Sequence, residues 1–159
     1  MAVAITLHIL CATIWVGGMF FAVVALRPVA AAVLKPAQRL PLWVGTFNRF
    51  FPWVWAAAVI LPLTGYWLVF GIFEGFENAG PHVQIMQVTG WAMIAIFLYI
   101  FAAPFQRFKK AAAAKRWPKA AEQLAQIRML VVANLGLGLI TFIVATGGRY
   151  LGDFWYAVD

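Results

Sequence analysis

His8, Cys11 and His82 are the only histidines and the only cysteine in a chain of 159 residues. His8 and Cys11 stand three positions apart, and Trp15 and Gly18 follow at helical spacing, so a helix carries all four on one face. Met86 opens an apolar run shortly after His82. Two chemistries suit these donors. Imidazole with thiolate and thioether sulfur is a soft set that suits copper, particularly Cu(I), which makes His8, Cys11, His82 and Met86 the candidate metal ligands. Two imidazoles on different elements can instead hold a haem b iron axially, with His8 and His82 as the pair. Tyr66 and Arg149 would then meet the anionic propionates. A simpler alternative stands beside both. The histidines hydrogen-bond neighbours or solvent, Cys11 packs as a small apolar group, and the methionines fill gaps between helices.

The elements that position these groups belong in a membrane. The chain is 65% apolar and 11% charged, whereas soluble domains carry about 25% charged and about 45–50% apolar residues. A water-soluble domain of this length cannot hide so much apolar surface. That excludes soluble enzymes, disulfide scaffolds and disordered tails. The net charge of +7 fits loops facing anionic headgroups, with the lipid bilayer as partner and no nucleic acid. A single cysteine forms no internal disulfide and leaves the redox compartment open.

A spanning helix needs about 20 mostly apolar residues to cross about 30 Å of hydrocarbon. Segments at about 2–26, 50–73, 86–104 and 129–147 qualify, within a single transmembrane domain over 1–159. The first lacks a basic flank before Arg27 and is too long for a secretory signal core, so it is expected to stay in the mature protein. The connection 27–49 holds Arg27, Lys35, Arg39 and Arg49, and the connection 105–128 holds seven further basic residues. The loop between the second and third spans has only Glu74 and Glu77, and the carboxyl tail has Arg149 alone. The positive-inside rule then places both termini outside, in the periplasm of a bacterium, with the two basic connections in the cytoplasm.

This topology draws His8, His82, Met86, Gln87, Arg149, Tyr150 and Asp153 towards one membrane face. Met93, Met19 and Met129 follow at increasing depth. Gln106–Ala114 is expected to prolong the third helix, and Pro118 to restart a helix after it. The aromatic residues between Leu40 and Trp55, mixed with Arg39, Asn48 and Arg49, are expected at headgroup level. Gly17–Gly18 and Gly136-Leu137-Gly138 are the expected sites of close helix approach, and Asn134 the expected interhelical hydrogen-bond former. Pro62, beside Thr64 and Gly65, is expected to kink the second span. No phosphate-cradling glycine loop, Ser-His-Asp set or HExxH motif is present, and no Asp or Glu falls inside a span. No catalytic residue is assigned, and oxidoreductase activity is expected only if haem is bound.

The string from His8 to Phe20, His-Ile-Leu-Cys-Ala-Thr-Ile-Trp-Val-Gly-Gly-Met-Phe, resembles the opening helix of the CopD-type copper-resistance membrane proteins. The stretch from Ile127 to Gly138 is similar to the last helix of that family. The related HemJ-type haem-pathway proteins begin with a similar histidine-bearing helix and are thought to bind haem b, so the resemblance implicates His8 under either chemistry. Larger members of the family carry more spans, and a chain with four is expected to be a half-sized relative that pairs as a homodimer.

Together these expectations describe an all-α, four-span integral membrane bundle in the bacterial inner membrane. It binds a redox metal centre near the periplasmic face and handles or transports copper. The alternatives are a b-type haem protein doing electron transfer or oxidase chemistry, or a structural or accessory subunit without metal. A periplasmic metal or electron donor is the expected soluble partner.

Overall fold

Prolines punctuate this chain. A computed structural model describes residues 2–72 and 74–148, which form helices joined by short breaks and no strand. Helix α1 covers Ala2–Val33 with a π-helical stretch at Phe21–Leu26, and α2 covers Pro36–Ile72. Helices α3 (Pro81–Ala102), α4 (Pro104–Ala113) and α5 (Trp117–Gly147) follow. Pro36, Pro81, Pro104 and Pro118 each stand in a first turn, where the missing N–H is no loss and the fixed φ favours the start. The residue before a proline is pushed out of the helical region. Ala103, at φ −115° and ψ −81°, accordingly separates α3 from α4.

Among the described residues, four rods are long and apolar enough to cross a membrane, α3 and α4 counting as one. Their outer faces are those of a protein whose solvent is lipid: Val3, Val88, Trp67 and Met129 are each more than 65% exposed. The chain is a multi-pass membrane protein. Helix α1 packs chiefly on α2, while α3 and α4 pack on α5.

Polar links tie α3 to α5 along their length. The Thr141 hydroxyl lies 2.7 Å from that of Thr89, Asn134 Nδ2 donates to the Met93 carbonyl at 3.4 Å, and Gln126 Nε2 donates to the Tyr99 hydroxyl at 3.2 Å. The expected role of Asn134 is thus the one it plays. Small residues admit close approach at two points. A methyl group on Gly138 would lie 2.7 Å from Val16 Cγ2 and 3.2 Å from Met93 Cε, so α1, α3 and α5 converge there. Gly18 receives the ring of Phe50, whereas Gly17 and Gly136 have open space beside them and make no such contact.

Within the connection 27–49 the chain is largely helical, because α1 continues to Val33 and α2 begins at Pro36. Three of the aromatic rings between Leu40 and Trp55 turn into the bundle. Trp43, Phe47 and Phe51 recur every fourth residue on one face of α2 and are buried. Phe47 and Phe51 stack at 5.2 Å, and Phe105 meets the Phe51 ring edge-on at 4.7 Å. Phe47 and Phe51 bury their rings against Phe105 of α4, close to where the third span is expected to leave the hydrocarbon, so packing inside the bundle and a place near headgroup level go together. Trp53, 62% exposed, does face outward.

Candidate functional site

Pro62 organises the site. It has no N–H to give the Ala58 carbonyl one turn back, which loosens α2 at that point. Two residues on, the Thr64 hydroxyl turns back onto its own helix and donates to the Ile60 carbonyl at 2.6 Å, with Leu61 O at 3.2 Å. A threonine hydroxyl has one hydrogen and two lone pairs. With that hydrogen directed to the backbone, its oxygen accepts from His8 Nδ1 at 2.8 Å. The His8 ring is therefore held as the Nδ1–H tautomer, and Nε2 keeps its lone pair. Gly65 provides the room: a methyl group there would lie 3.3 Å from His8 Cε1.

His8 lines a partly open cavity of about 380 Å³ between α1, α2, α3 and α5 at the end of the bundle that carries the α2–α3 loop. Met86 and Met93, two turns apart on α3, line it as well, and so do Tyr66 and Gln87. Trp15 closes the far wall, 2% exposed and edge-on to Phe97. The walls are mainly apolar, so the few polar and sulfur atoms dominate what the cavity recognises. Tyr66 is held from α3, its hydroxyl oxygen accepting from Gln87 Nε2 at 2.9 Å and from Trp91 Nε1 at 3.3 Å.

The sequence-derived candidates divide at this cavity. His8, Tyr66 and Met86 share it. Cys11 is buried in the helix core and is not among its walls. His82 is also outside it, on the first turn of α3, with Gly80 and Gly148 packed closely against its side chain. Arg149, Tyr150 and Asp153 lie outside the described residues. The methionine ladder is cut in two: Met86 and Met93 reach the cavity, Met19 is buried, and Met129 is 71% exposed on the outer face. Among the described residues, no three His, Cys, Asp or Glu side chains are grouped to hold a metal ion. A metal in this cavity would draw on His8 and thioether sulfur.

Thr64 is the positioning residue that the sequence did not single out. Its signal was present, since a threonine two residues after a mid-span proline is placed to satisfy loosened backbone. Its partner is 56 positions away, which only the tertiary fold discloses.

The family model for copper resistance protein D matches residues 44–147. No curated protein and no solved structure matches the chain. The matched region takes in Thr64, Tyr66, Met86 and Met93 and begins after α1, so His8 is supplied to the cavity from outside it.

Proposed function

The chain belongs to the copper resistance protein D family, and we propose that it handles Cu(I) through the cavity beneath His8. His8 Nε2 is the nitrogen donor and the thioethers of Met86 and Met93 are the sulfur donors. Imidazole with thioether is the soft set that favours Cu(I) over harder divalent ions. The observation that carries this proposal is the His8–Thr64 hydrogen bond. Histidines that bind metals almost always donate their other ring N–H to a neighbour, which fixes the tautomer and orients the ring. Here that arrangement is built from an α1 imidazole and the proline-bearing turn of α2, on the wall of a mainly apolar cavity. Copper enters as cargo, from the end of the bundle that the charge asymmetry assigns to the periplasm.

Anaerobic Cu(I) titration of the detergent-purified protein against a chromogenic chelator tests this. Stoichiometric binding that is lost in His8→Ala supports it. Binding unchanged in His8→Ala overturns it. An absorption spectrum of the same preparation separates copper from haem, because a Soret band that shifts on dithionite reduction would place a b-type haem at His8 instead.

A further inference from the structure

At the opposite, basic end of the bundle, α4 and the start of α5 line a second, open cleft of about 530 Å³. Four cationic side chains converge on it: Arg107 and Lys110 from α4, Arg116 from the intervening turn and Lys119 from the first turn of α5. Only one acid, Glu122, lies among them. The cleft also receives the amino-terminal end of a 31-residue helix, whose dipole adds positive potential. Gln123, another of its walls, has a side-chain oxygen that is buried and without a hydrogen-bond partner. Four cations with one acid favour a ligand that supplies negative charge, and a hydroxyl on that ligand would pair the buried Gln123 oxygen, which is costly to leave unpaired.

We infer that this cleft binds the headgroup of an anionic glycerol phospholipid, with the phosphodiester on the cations and a glycerol hydroxyl donating to Gln123 Oε1. Depth selects a lipid over a free phosphate compound. The third span is expected to leave the hydrocarbon near Pro104, and Arg107 follows three residues later, about 4.5 Å further along a helix axis. The headgroup layer occupies roughly 5–7 Å beyond the hydrocarbon on each side. Basic pockets between helices at this level suit phospholipid headgroups. The cleft shares no residue with the His8 cavity, so the inference stands independently of copper binding.

Native mass spectrometry of the detergent-purified protein, titrated with phosphatidylglycerol, phosphatidylethanolamine or glycerol 3-phosphate, tests it. Phosphatidylglycerol is expected to bind, and an Arg107→Gln/Lys119→Gln variant to bind it about tenfold more weakly or worse. A Lys35→Gln/Arg39→Gln variant, which loses the same charge outside the cleft, is expected to bind as the parent does. In Gln123→Leu, preference for phosphatidylglycerol over phosphatidic acid, which lacks the glycerol hydroxyls, is expected to shrink. Equal losses in the two charge variants would show a diffuse charge effect and overturn the inference. Equal binding of phosphatidylethanolamine, or of glycerol 3-phosphate, would overturn it as well. All four substituted cations are surface-accessible, so the fold is expected to survive, and an unchanged melting temperature confirms that for each variant.

Discussion

The Thr64 hydroxyl accepts the Nδ1 proton of His8 at 2.8 Å while spending its own hydrogen on the backbone of α2. Removing the acceptor while keeping side-chain shape is the direct way to weigh this bond. In Thr64→Val the imidazole keeps its place on α1 but loses the partner that sets its tautomer. Cu(I) affinity is expected to fall about 10–100-fold, the usual cost of losing such a partner, with His8→Ala falling further. Chelator competition measures both, and a Thr64→Val protein with parental affinity would show that the bond does not serve the metal.

The sulfur donors can be tested by a nearly volume-conserving exchange. Met86→Leu and Met93→Leu keep the apolar packing, so each is expected to cost under about 1.5 kcal/mol in stability. Each is nevertheless expected to weaken Cu(I) binding, and the double variant to weaken it more than either alone. Met129→Leu, at a position 71% exposed on the outer face, is the control and is expected to leave affinity unchanged. A Met129 effect equal to that at Met86 would remove the cavity from consideration.

Helix contact makes a separate prediction. At Gly138 an added methyl group meets Val16 and Met93, whereas at Gly17 it meets nothing within 4 Å. Gly138→Ala is expected to destabilise by about 1–3 kcal/mol through overpacking. Gly17→Ala is expected to be neutral or stabilising, since alanine is the better helix former. Thermal unfolding in detergent checks the pair, and a reversed order would mean that the three-helix contact is misplaced.

Asn134 is 2% exposed, and its Oδ1 has no partner while Nδ2 reaches the Met93 carbonyl at a long 3.4 Å. One weak bond against one orphaned acceptor is near balance, given that hydrogen bonds between membrane helices average about 0.6 kcal/mol. Asn134→Leu is therefore expected to change stability by less than about 1 kcal/mol. A large loss would reveal a bound water or ion on Oδ1.

Much of this was legible in the sequence, and the rest was not for physical reasons. Span number follows from length and hydropathy alone, because lipid demands about 20 apolar residues per crossing whatever the tertiary fold. The restart at Pro118 follows equally locally, whereas Gln106–Ala114 does not simply prolong α3 but lies in the separate helix α4, because Pro104 pushes Ala103 out of the helical region. The four-residue spacing of Trp43, Phe47 and Phe51 puts them on one helix face, but no local pattern says that this face turns into the bundle. That depends on Phe105 and Phe108, more than fifty residues after the Phe47 that packs on them. The site divides in the same way. His8 stood out because an ionisable group at membrane depth is costly. Its union with Met86 and Met93, and the absence of Cys11 and His82 from the cavity, depend on helix rotation that no local spacing fixes. The π-helical stretch at Phe21–Leu26 adds such a rotation in α1.

The orientation expected from charge asymmetry has its own test. With Asn78→Cys in a Cys11→Ser background, a membrane-impermeant maleimide is expected to label intact spheroplasts, since Asn78 lies in the basic-free loop between α2 and α3. Labelling that needs lysis would invert the topology and put the His8 cavity on the cytoplasmic side.

The most direct test of the copper proposal is X-ray absorption at the copper edge on protein loaded anaerobically with Cu(I) and freed of unbound metal. One imidazole nitrogen together with thioether sulfur in the first coordination shell is the predicted result. A shell without sulfur, or no copper retained by the protein, would contradict it.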